Sequence, residues 1–449
     1  MNLVTRRVIA TIFILTFAVC APILIFYTAG YRYNIKKTKI QKSGALVVDT
    51  APNGAQLYLN NKKLNKKTPV RLNNLLPDEY FIELKKENYY DWSKKLSVRS
   101  QETTFAEDII LFQKSEPELI SEKNIAWLNF SPDNKFAIYT VTDFSQDYLY
   151  LLNLSNKKSY LLFNNNSNLT DPSVIWAKNN SFILFNTKEH STILPTSTAT
   201  EVKPFDLNDQ NIKGENFKWS KKDSNILYFE TGNQVFELNV LSKKTEPIFS
   251  LETSEKLFDY YMNDKEIFII KQTNNKTLLS KYHLTNDNKN LLFKTIELKN
   301  SAYKFDNLYN SKLGFNDINN NIFYLVNNDL DKILTNKQNV EHAELHEDAN
   351  LLLLQTNQEL SFLELSAPTI VERNITRYSQ GLENAKWHKF SNYTIALQNN
   401  KLHIIELDDR DGHFFITLPF KNVTSFGIDS NSENIFFVQD GFLWSLSLE

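Results

Sequence analysis

The sequence has few of the residues that common catalytic and cofactor-binding motifs require. Cysteine occurs once, at Cys20, so the rest of the chain can form no disulfide, thiolate metal site or cysteine nucleophile. The ten glycines are widely spaced, and no two lie closer than Gly44 and Gly54. Phosphate-cradling loops and the G-x-S-x-G nucleophile motif need glycines within a few positions, so both are excluded. The sequence predicts no cofactor and no metal.

Charge and aromatic content narrow the class of protein further. The chain carries 50 basic and 52 acidic residues, which gives no argument for a nucleic-acid partner. Its 32 phenylalanines and 20 tyrosines occur mainly in short alternating segments, as expected for strands. Asparagine takes the place of glycine in turns such as 164–166, 179–180, 319–321 and 399–400, because it tolerates the left-handed conformation. We therefore expect a mainly β protein.

One long apolar segment lies near the N-terminus, from Val8 to Tyr27, and no charged residue occurs between Arg7 and Arg32. About twenty residues at ~1.5 Å each span a hydrocarbon core of ~30 Å. Arg6 and Arg7 favour a cytoplasmic N-terminus with the bulk of the chain outside the cell membrane. A cleaved signal peptide is the alternative, although its apolar core is usually shorter. The prediction is a cytoplasmic tail at 1–7, a single-pass signal-anchor helix in membrane lipid at 8–28 and a linker at 29–42.

Residues 43–114 have the pattern of a small β-sandwich. Alternation predicts five strands, at 45–49, 55–59, 80–84, 95–98 and 104–112, with a basic loop at 62–67. The segment Pro52-Asn53-Gly54-Ala55 resembles the P-E-G-A signature of the PEGA domain family. Thr-Pro at 68–69, Leu-Pro-Asp-Glu-Tyr at 76–80 and Asn88-Tyr89 followed by Trp92 resemble the family's further motifs in the same order.

This resemblance implies a binding or spacer module of surface and envelope proteins, without catalysis. Asp78 and Asn88 stand where the family usually has glycine, and both residue types can adopt turn conformations. Tyr89, Tyr90 and Trp92 are the candidate binding residues, because three aromatic rings within four positions suit stacking on a sugar. In the alternative interpretation, Tyr89 and Trp92 fill the core of the sandwich.

From residue 120 onward a sequence repeat, which we also call a phrase, recurs about every forty residues. It consists of a strand with an aromatic residue, a polar turn and a second apolar strand. Four strands per period are typical of a β-propeller, predicted here for 117–449. Counting the phrases favours eight blades, and weak copies near Phe258, Phe305 and Ala343 leave seven as the alternative. Since the last unit has only three strands, 117–122 is expected to pair antiparallel with about 442–448. The clearest turn, 130–134 (Phe-Ser-Pro-Asp-Asn), resembles the TolB-type, WD40-like repeat.

Three groups of residues resemble metal-binding or ligand-binding motifs, but their positions in the sequence favour structural roles. His342 and His346 have the i, i+4 spacing of a zinc pair, but they fall on a strand, where such positions lie ~13 Å apart. The acidic run at 408–411 lacks the full ligand series of a calcium loop and suits a hairpin turn. Four tryptophans occupy equivalent repeat positions, which predicts packing rather than a ligand cage: Trp127, Trp176, Trp219 and Trp387.

The sequence thus predicts a non-catalytic envelope protein, anchored in the membrane, that displays a propeller for interaction with a protein or a polysaccharide. An enzyme acting on a glycan or peptide in the central pocket of the propeller is one alternative. A purely structural envelope element is another. Carboxylates or histidines converging from several blades, with perturbed pKa values, would favour the enzyme.

Overall fold

The computed structural model describes residues 3–35, 38–122, 124–143, 146–165, 172–188, 190–197, 202–285, 290–367, 369–379 and 381–449. It begins with a helix, α1 (Leu3–Thr28), followed by a two-stranded antiparallel hairpin of β1 (Tyr31–Asn34) and β2 (Lys39–Lys42). The hairpin lies in the segment predicted as a linker. The chain forms two compact units: residues 1–116, 405–416 and 447–449 make the first, and residues 117–404 and 417–446 make the second.

The first unit contains a sandwich of two sheets. Its strands are β3 (Gly44–Ala51), β4 (Gln56–Leu59), β5 (Lys62–Lys67), β6 (Val70–Leu75), β7 (Asp78–Lys85), β8 (Trp92–Val98) and β9 (Thr103–Ile110). One sheet has the order β6-β3-β9, with β3 and β9 parallel, and the other has the order β5-β4-β7-β8. Leu46, Leu57, Ile82 and Leu84 are fully buried between them, because alternate residues of each strand face inward.

The five predicted strands are present, but the predicted basic loop is wrong. Residues Lys62–Lys67 form β5, an edge strand paired with β4, and β6 was not predicted. Lysines on an exposed edge strand discourage pairing with other chains, so their charge hid the strand in the sequence. Strand β3 begins with Gly44 because no larger residue fits there. A Cβ at this position would lie 2.2 Å from the carbonyl oxygen of Arg99.

After β10 (Glu118–Ser121), the described residues form a series of four-stranded antiparallel sheets. Sheet 1 contains β11 (Ile125–Phe130), β12 (Phe136–Asp143), β13 (Gln146–Asn153) and β14 (Lys158–Asn165). Sheet 2 contains β15 (Ser173–Trp176), β16 (Phe182–Asn186), β17 (Ser191–Pro195) and β18 (Phe205–Asp206), followed by a short 3-10 helix at Asn208–Gln210. Sheet 3 contains β19 (Glu215–Trp219), β20 (Ile226–Thr231), β21 (Gln234–Asn239) and β22 (Lys244–Ser250). Sheet 4 contains β23 (Glu255–Asn263), β24 (Glu266–Thr273), β25 (Lys276–His283) and β26 (Leu291–Leu298).

The same arrangement continues to the C-terminus. Sheet 5 contains β27 (Tyr303–Tyr309), β28 (Lys312–Asp317), β29 (Ile322–Asn327) and β30 (Ile333–Gln338). Sheet 6 contains β31 (His342–His346), β32 (Leu351–Gln355), β33 (Glu359–Glu364) and β34 (Val371–Arg377). Sheet 7 contains β35 (Leu382–Trp387), β36 (Tyr393–Gln398), β37 (Lys401–Glu406) and β38 (Phe415–Thr417). Sheet 8 contains β39 (Val423–Ile428), β40 (Asn434–Gln439), β41 (Phe442–Ser447) and β10.

The expected pairing of distant strands is confirmed in sheet 8. Strand β10 lies antiparallel to β41, with Glu118 opposite Ser445 and Leu119 opposite Trp444. Eight four-stranded sheets are thus present among the described residues from Glu118 onward, an arrangement consistent with a WD40-like propeller. The first strands of several neighbouring sheets contact one another, which places these strands on the inside of the ring and the fourth strands on the outside.

Asparagine adopts the left-handed conformation in three of the predicted turns, at 180, 321 and 399–400. The turn predicted at 164–166 is wrong for Asn164 and Asn165, which end β14, and residue 166 lies outside the described residues. Asn134, where the resembling repeat has glycine, has a φ of 55°, and Asn88 of the sandwich has a φ of 64°. Asn399 and Asn400 form a consecutive left-handed pair between β36 and β37. Asp78 differs, since it starts β7 and has no positive φ. Among the described residues with positive φ, asparagine is therefore the commonest residue type in this glycine-poor chain.

Candidate functional site

The predicted aromatic cluster does not form a single exposed surface. Trp92 is only 2% exposed, packs in the core of the sandwich and donates its indole N–H to Glu406 at 3.1 Å. Tyr89 and Tyr90 are half-buried, and the ammonium groups of Lys86 and Lys114 lie 5.2 and 5.4 Å from their ring centres. Burial therefore removes Trp92 from any stacking surface. A binding role remains a prediction for the two tyrosines.

Residues of the predicted anchor lie on a helix with an exposed apolar surface. The stretch Thr5–Thr28 is long and apolar enough to cross a membrane, and none of the residues in its most apolar window is buried. Val8 and Tyr27 are 52% and 59% exposed, and Arg6 and Arg7 are exposed at the start of the helix. Beyond its end, the Arg32 guanidinium lies 3.8 Å from the centre of the Tyr27 ring. The helix has the properties of a membrane anchor or a signal sequence.

His346 and the acidic run have structural partners. His342 and His346 lie at the two ends of β31, and Nε2 of His346 is 2.9 Å from the carbonyl oxygen of Lys389. Asp408 accepts hydrogen bonds from Arg410. Among the described residues, no group of three or more histidine, cysteine, aspartate or glutamate side chains is arranged to hold a metal ion.

Three of the repeated tryptophans connect neighbouring sheets. Trp176, Trp219 and Trp387 are buried at the ends of their first strands. Each donates its indole N–H to the first strand of the preceding sheet at 2.9 Å: to the side chain of Asn129, the carbonyl of Ile175 and the carbonyl of Glu344. These residues have the packing role that the sequence predicted.

A group of buried polar residues occupies the inside of sheets 3 and 4. Asp259, 2% exposed, accepts hydrogen bonds from the Lys218 ammonium at 2.6 Å and from the backbone N–H of Phe305 at 2.7 Å. Glu230 accepts one from Asn216 at 2.5 Å. Burial, together with the negative charge of Asp259, raises the pKa of Glu230 from 4.5 to about 7. Charged groups of neighbouring sheets therefore influence one another here.

A small polar pocket lies between sheets 5 and 6. It has a volume of about 210 Å³, and its lining includes Asp306, Tyr309, Glu341 and His342. The Tyr309 hydroxyl donates a hydrogen bond to Asp306, while burial raises the pKa of the Asp306 carboxyl. Asp306 as a whole residue is nevertheless exposed. Sequence analysis did not single out this pocket, because its residues come from separate strands and one connecting segment.

A larger groove of about 690 Å³ lies at the outside of the same two sheets. Its walls are formed by the end of β30 with the next residue, the turn between β32 and β33, and β34. Six side-chain amides line it: Asn336, Gln338, Asn339, Asn357, Gln358 and Asn374. The remaining lining residues are also polar: Lys337, Thr356, Glu359, Glu372 and Arg377. We call this surface the amide groove.

An ion-pair network fixes one wall of the amide groove. The Lys337 ammonium lies 3.2 Å from Glu359 and also contacts Glu372, and it donates to the Ser361 hydroxyl at 2.8 Å. Burial alone would raise the pKa of Glu372, but the hydrogen bonds from Lys337 and Ser361 outweigh it and lower that pKa. Because sheets 5 and 6 begin with the weak phrases near Phe305 and Ala343, the repeat pattern gave no indication of this groove.

Comparison with known proteins identifies part of the chain. Residues 43–108 match the PEGA domain family. The PEGA domain covers all four motifs that carried the resemblance and is the module described above as a sandwich. Among curated proteins, none matches the sequence.

Solved structures similar to the chain include a WD40 domain. The C-terminal WD40 domain of Sif2 shares 11% identity, covers 74% of this chain and 98% of its own, and has a TM-score of 0.49. Sqt1 from Chaetomium thermophilum shares 10% identity over 74% of this chain and 100% of its own, with a TM-score of 0.45. At these identities the likeness concerns the fold alone.

Proposed function

We propose that this chain is a non-catalytic binding scaffold of the cell envelope, anchored by its N-terminal helix and displaying a propeller outside the membrane. The observation that carries the proposal is the apolar helix Thr5–Thr28, whose most apolar window is wholly unburied and which stands before a PEGA domain and a propeller. A helix with such a surface needs an apolar environment, which membrane lipid provides. Arg6 and Arg7 before the helix support a cytoplasmic N-terminus.

The proposed organisation follows from these parts. It consists of a cytoplasmic tail at 1–7, the anchor at 8–28, a juxtamembrane segment at 29–42, the PEGA domain region at 43–114 and the propeller at 117–449. The partner would be an envelope protein or polysaccharide, bound through loops and grooves of the propeller, because such surfaces carry most recognition on rigid β scaffolds. A purely structural envelope role is the outcome expected if nothing binds.

The test is chemical cross-linking in intact cells, followed by purification of the full chain from the membrane. A control protein carries the same residues 1–42 fused to an unrelated soluble domain. The proposal expects a reproducible adduct with an envelope protein or glycan that the control lacks. Adducts identical to those of the control would contradict a binding role and leave the structural one.

The pocket of Asp306 and His342 favours an enzyme as the second candidate. It combines a carboxyl group of raised pKa, a hydroxyl and an imidazole, which are groups used in general acid–base catalysis. Its volume of about 210 Å³ is, however, below the roughly 300–1,000 Å³ usual for small-molecule sites. Hydrolysis of envelope glycans or peptides that is abolished by Asp306→Asn would support the enzyme and contradict the scaffold.

A further inference from the structure

The amide groove is built from the outer strands of two adjacent sheets. Strand β30 is the fourth strand of sheet 5, and β34 is the fourth strand of sheet 6. Asn336 and Gln338 come from the first, and Asn374 and Arg377 from the second. Strands inside regular sheets hold their side chains at fixed spacings, so the groove has a defined shape without a ligand.

Several of its hydrogen-bonding groups are available to a ligand. Asn336, Gln338 and Asn374 are exposed, and their side-chain amides make no hydrogen bond within the described part of the chain. The same holds for the Arg377 guanidinium. Each amide offers two donors and one acceptor, so together they can satisfy a ligand that both donates and accepts at many positions.

The charge of the groove argues against an anionic ligand. Its lining contains two cations, Lys337 and Arg377, and two anions, Glu359 and Glu372, so its formal charge is zero. The Lys337 ammonium is already neutralised by both carboxylates. A polyanion would therefore meet a single unpaired cation and two negative charges, which favours a neutral ligand.

The lining also argues against a peptide. Extended peptides that bind beside an edge strand usually gain specificity from pockets for alternate side chains, and apolar side chains need apolar walls. None of the residues lining this groove is aliphatic or aromatic. Hydroxyl groups of a sugar chain, in contrast, are matched by amide, carboxylate and guanidinium partners.

We infer that the amide groove binds a neutral, hydroxyl-rich oligosaccharide. This inference rests on the proposed binding function and specifies its ligand class and its surface. The groove volume of about 690 Å³ lies in the usual range for ligand sites, roughly 300–1,000 Å³.

The test measures binding of defined tetrasaccharides to the full chain in lipid nanodiscs, by calorimetry and saturation-transfer NMR. The neutral probes are N-acetylglucosamine tetramer, cellotetraose and maltotetraose, and the anionic probe is tetragalacturonate. At least one neutral probe should bind saturably, with an affinity that does not change between low and high salt. The variant Asn336→Ala/Asn374→Ala should weaken this binding roughly tenfold or more, since two hydrogen-bonding amides are removed.

The matched control is Asn431→Ala, which removes an exposed amide in the turn between β39 and β40, outside the groove. It should bind as the unaltered chain does. The inference is overturned if no neutral probe binds, if tetragalacturonate binds more tightly, or if the double variant retains full affinity. An adduct in the cross-linking experiment without oligosaccharide binding would leave the scaffold standing and remove only this ligand assignment.

Discussion

Replacing Glu230 with glutamine is expected to change how the stability of the protein depends on pH. Glu230 is 9% exposed, and its pKa rises from 4.5 to about 7 because of burial and the nearby Asp259. Each pKa unit corresponds to about 1.4 kcal/mol, so ionising Glu230 in the folded protein costs at most about 3.5 kcal/mol. Glutamine has nearly the shape of the protonated acid and can still accept the hydrogen bond from Asn216.

The sign of the effect follows from proton linkage. The folded state holds the Glu230 proton more tightly than the unfolded state. The stabilisation that this proton gives to the folded state is therefore fully present below pH 4.5 and is lost as pH rises through about 7. Glutamine does not ionise, so Glu230→Gln removes this loss. The stability of the variant relative to the unaltered chain should increase by about 2 kcal/mol between about pH 5 and about pH 8.

The assay is urea denaturation of both proteins across this range, followed by tryptophan fluorescence. Burial lowers the pKa of His388 from 6.5 to about 4, which reduces stability as pH falls through that interval. Because both proteins contain His388, its contribution cancels in the difference. The control is Glu252→Gln, at an exposed position between β22 and β23, and the pH-dependent difference of Glu230→Gln should be larger than that of this variant. An equal difference at both ends of the range for Glu230→Gln would refute the reasoning.

Two further substitutions test packing within each unit. Lys94→Met should lower the free energy of unfolding of the first unit by about 3–5 kcal/mol, because the buried Glu406 carboxylate 3.1 Å away loses its partner. Adding Glu406→Gln to this variant should restore part of the lost stability, as measured by urea denaturation. Trp387→Phe removes the hydrogen bond to the Glu344 carbonyl and should lower the melting temperature, at a cost of about 1–3 kcal/mol. Trp127→Phe, whose indole makes no hydrogen bond within the described residues, should cost less, and an equal cost would contradict this role of the indole.

Much of the architecture could be predicted because its signals are local. Alternation of apolar and polar residues marked the strands, and the recurring tryptophans marked the first strand of several sheets. The pairing of β10 with β41 was predictable because the last repeat lacks a strand. Strand β5 could not be predicted in this way, because lysines on an edge strand give the same charge pattern as a loop. The hairpin of β1 and β2 was missed for a related reason, since its strands are short and carry several charges.

The amide groove could not be predicted in the same way. Asn336, Asn357 and Asn374 come from three separated segments, and only the pairing of strands within sheet 6 and the adjacency of sheet 5 bring them together. In the sequence each is one asparagine among many that serve turns. A signal was present nonetheless: Asn336 and Asn374 lie inside strands, where asparagine is depleted, so no turn explains them.

The central claim, a scaffold anchored by its first helix and displayed outside the membrane, can be tested by cysteine labelling. The chain has one cysteine, so Cys20→Ala gives a background without thiols. Asn2→Cys then reports the side of the N-terminus, and Lys135→Cys, at an exposed turn of sheet 1, reports the side of the propeller. In intact cells a membrane-impermeant maleimide should label position 135 of a full-length, membrane-bound chain and leave position 2 unlabelled until the cells are lysed. Labelling of position 2 alone, or a chain released without its helix, would contradict the account.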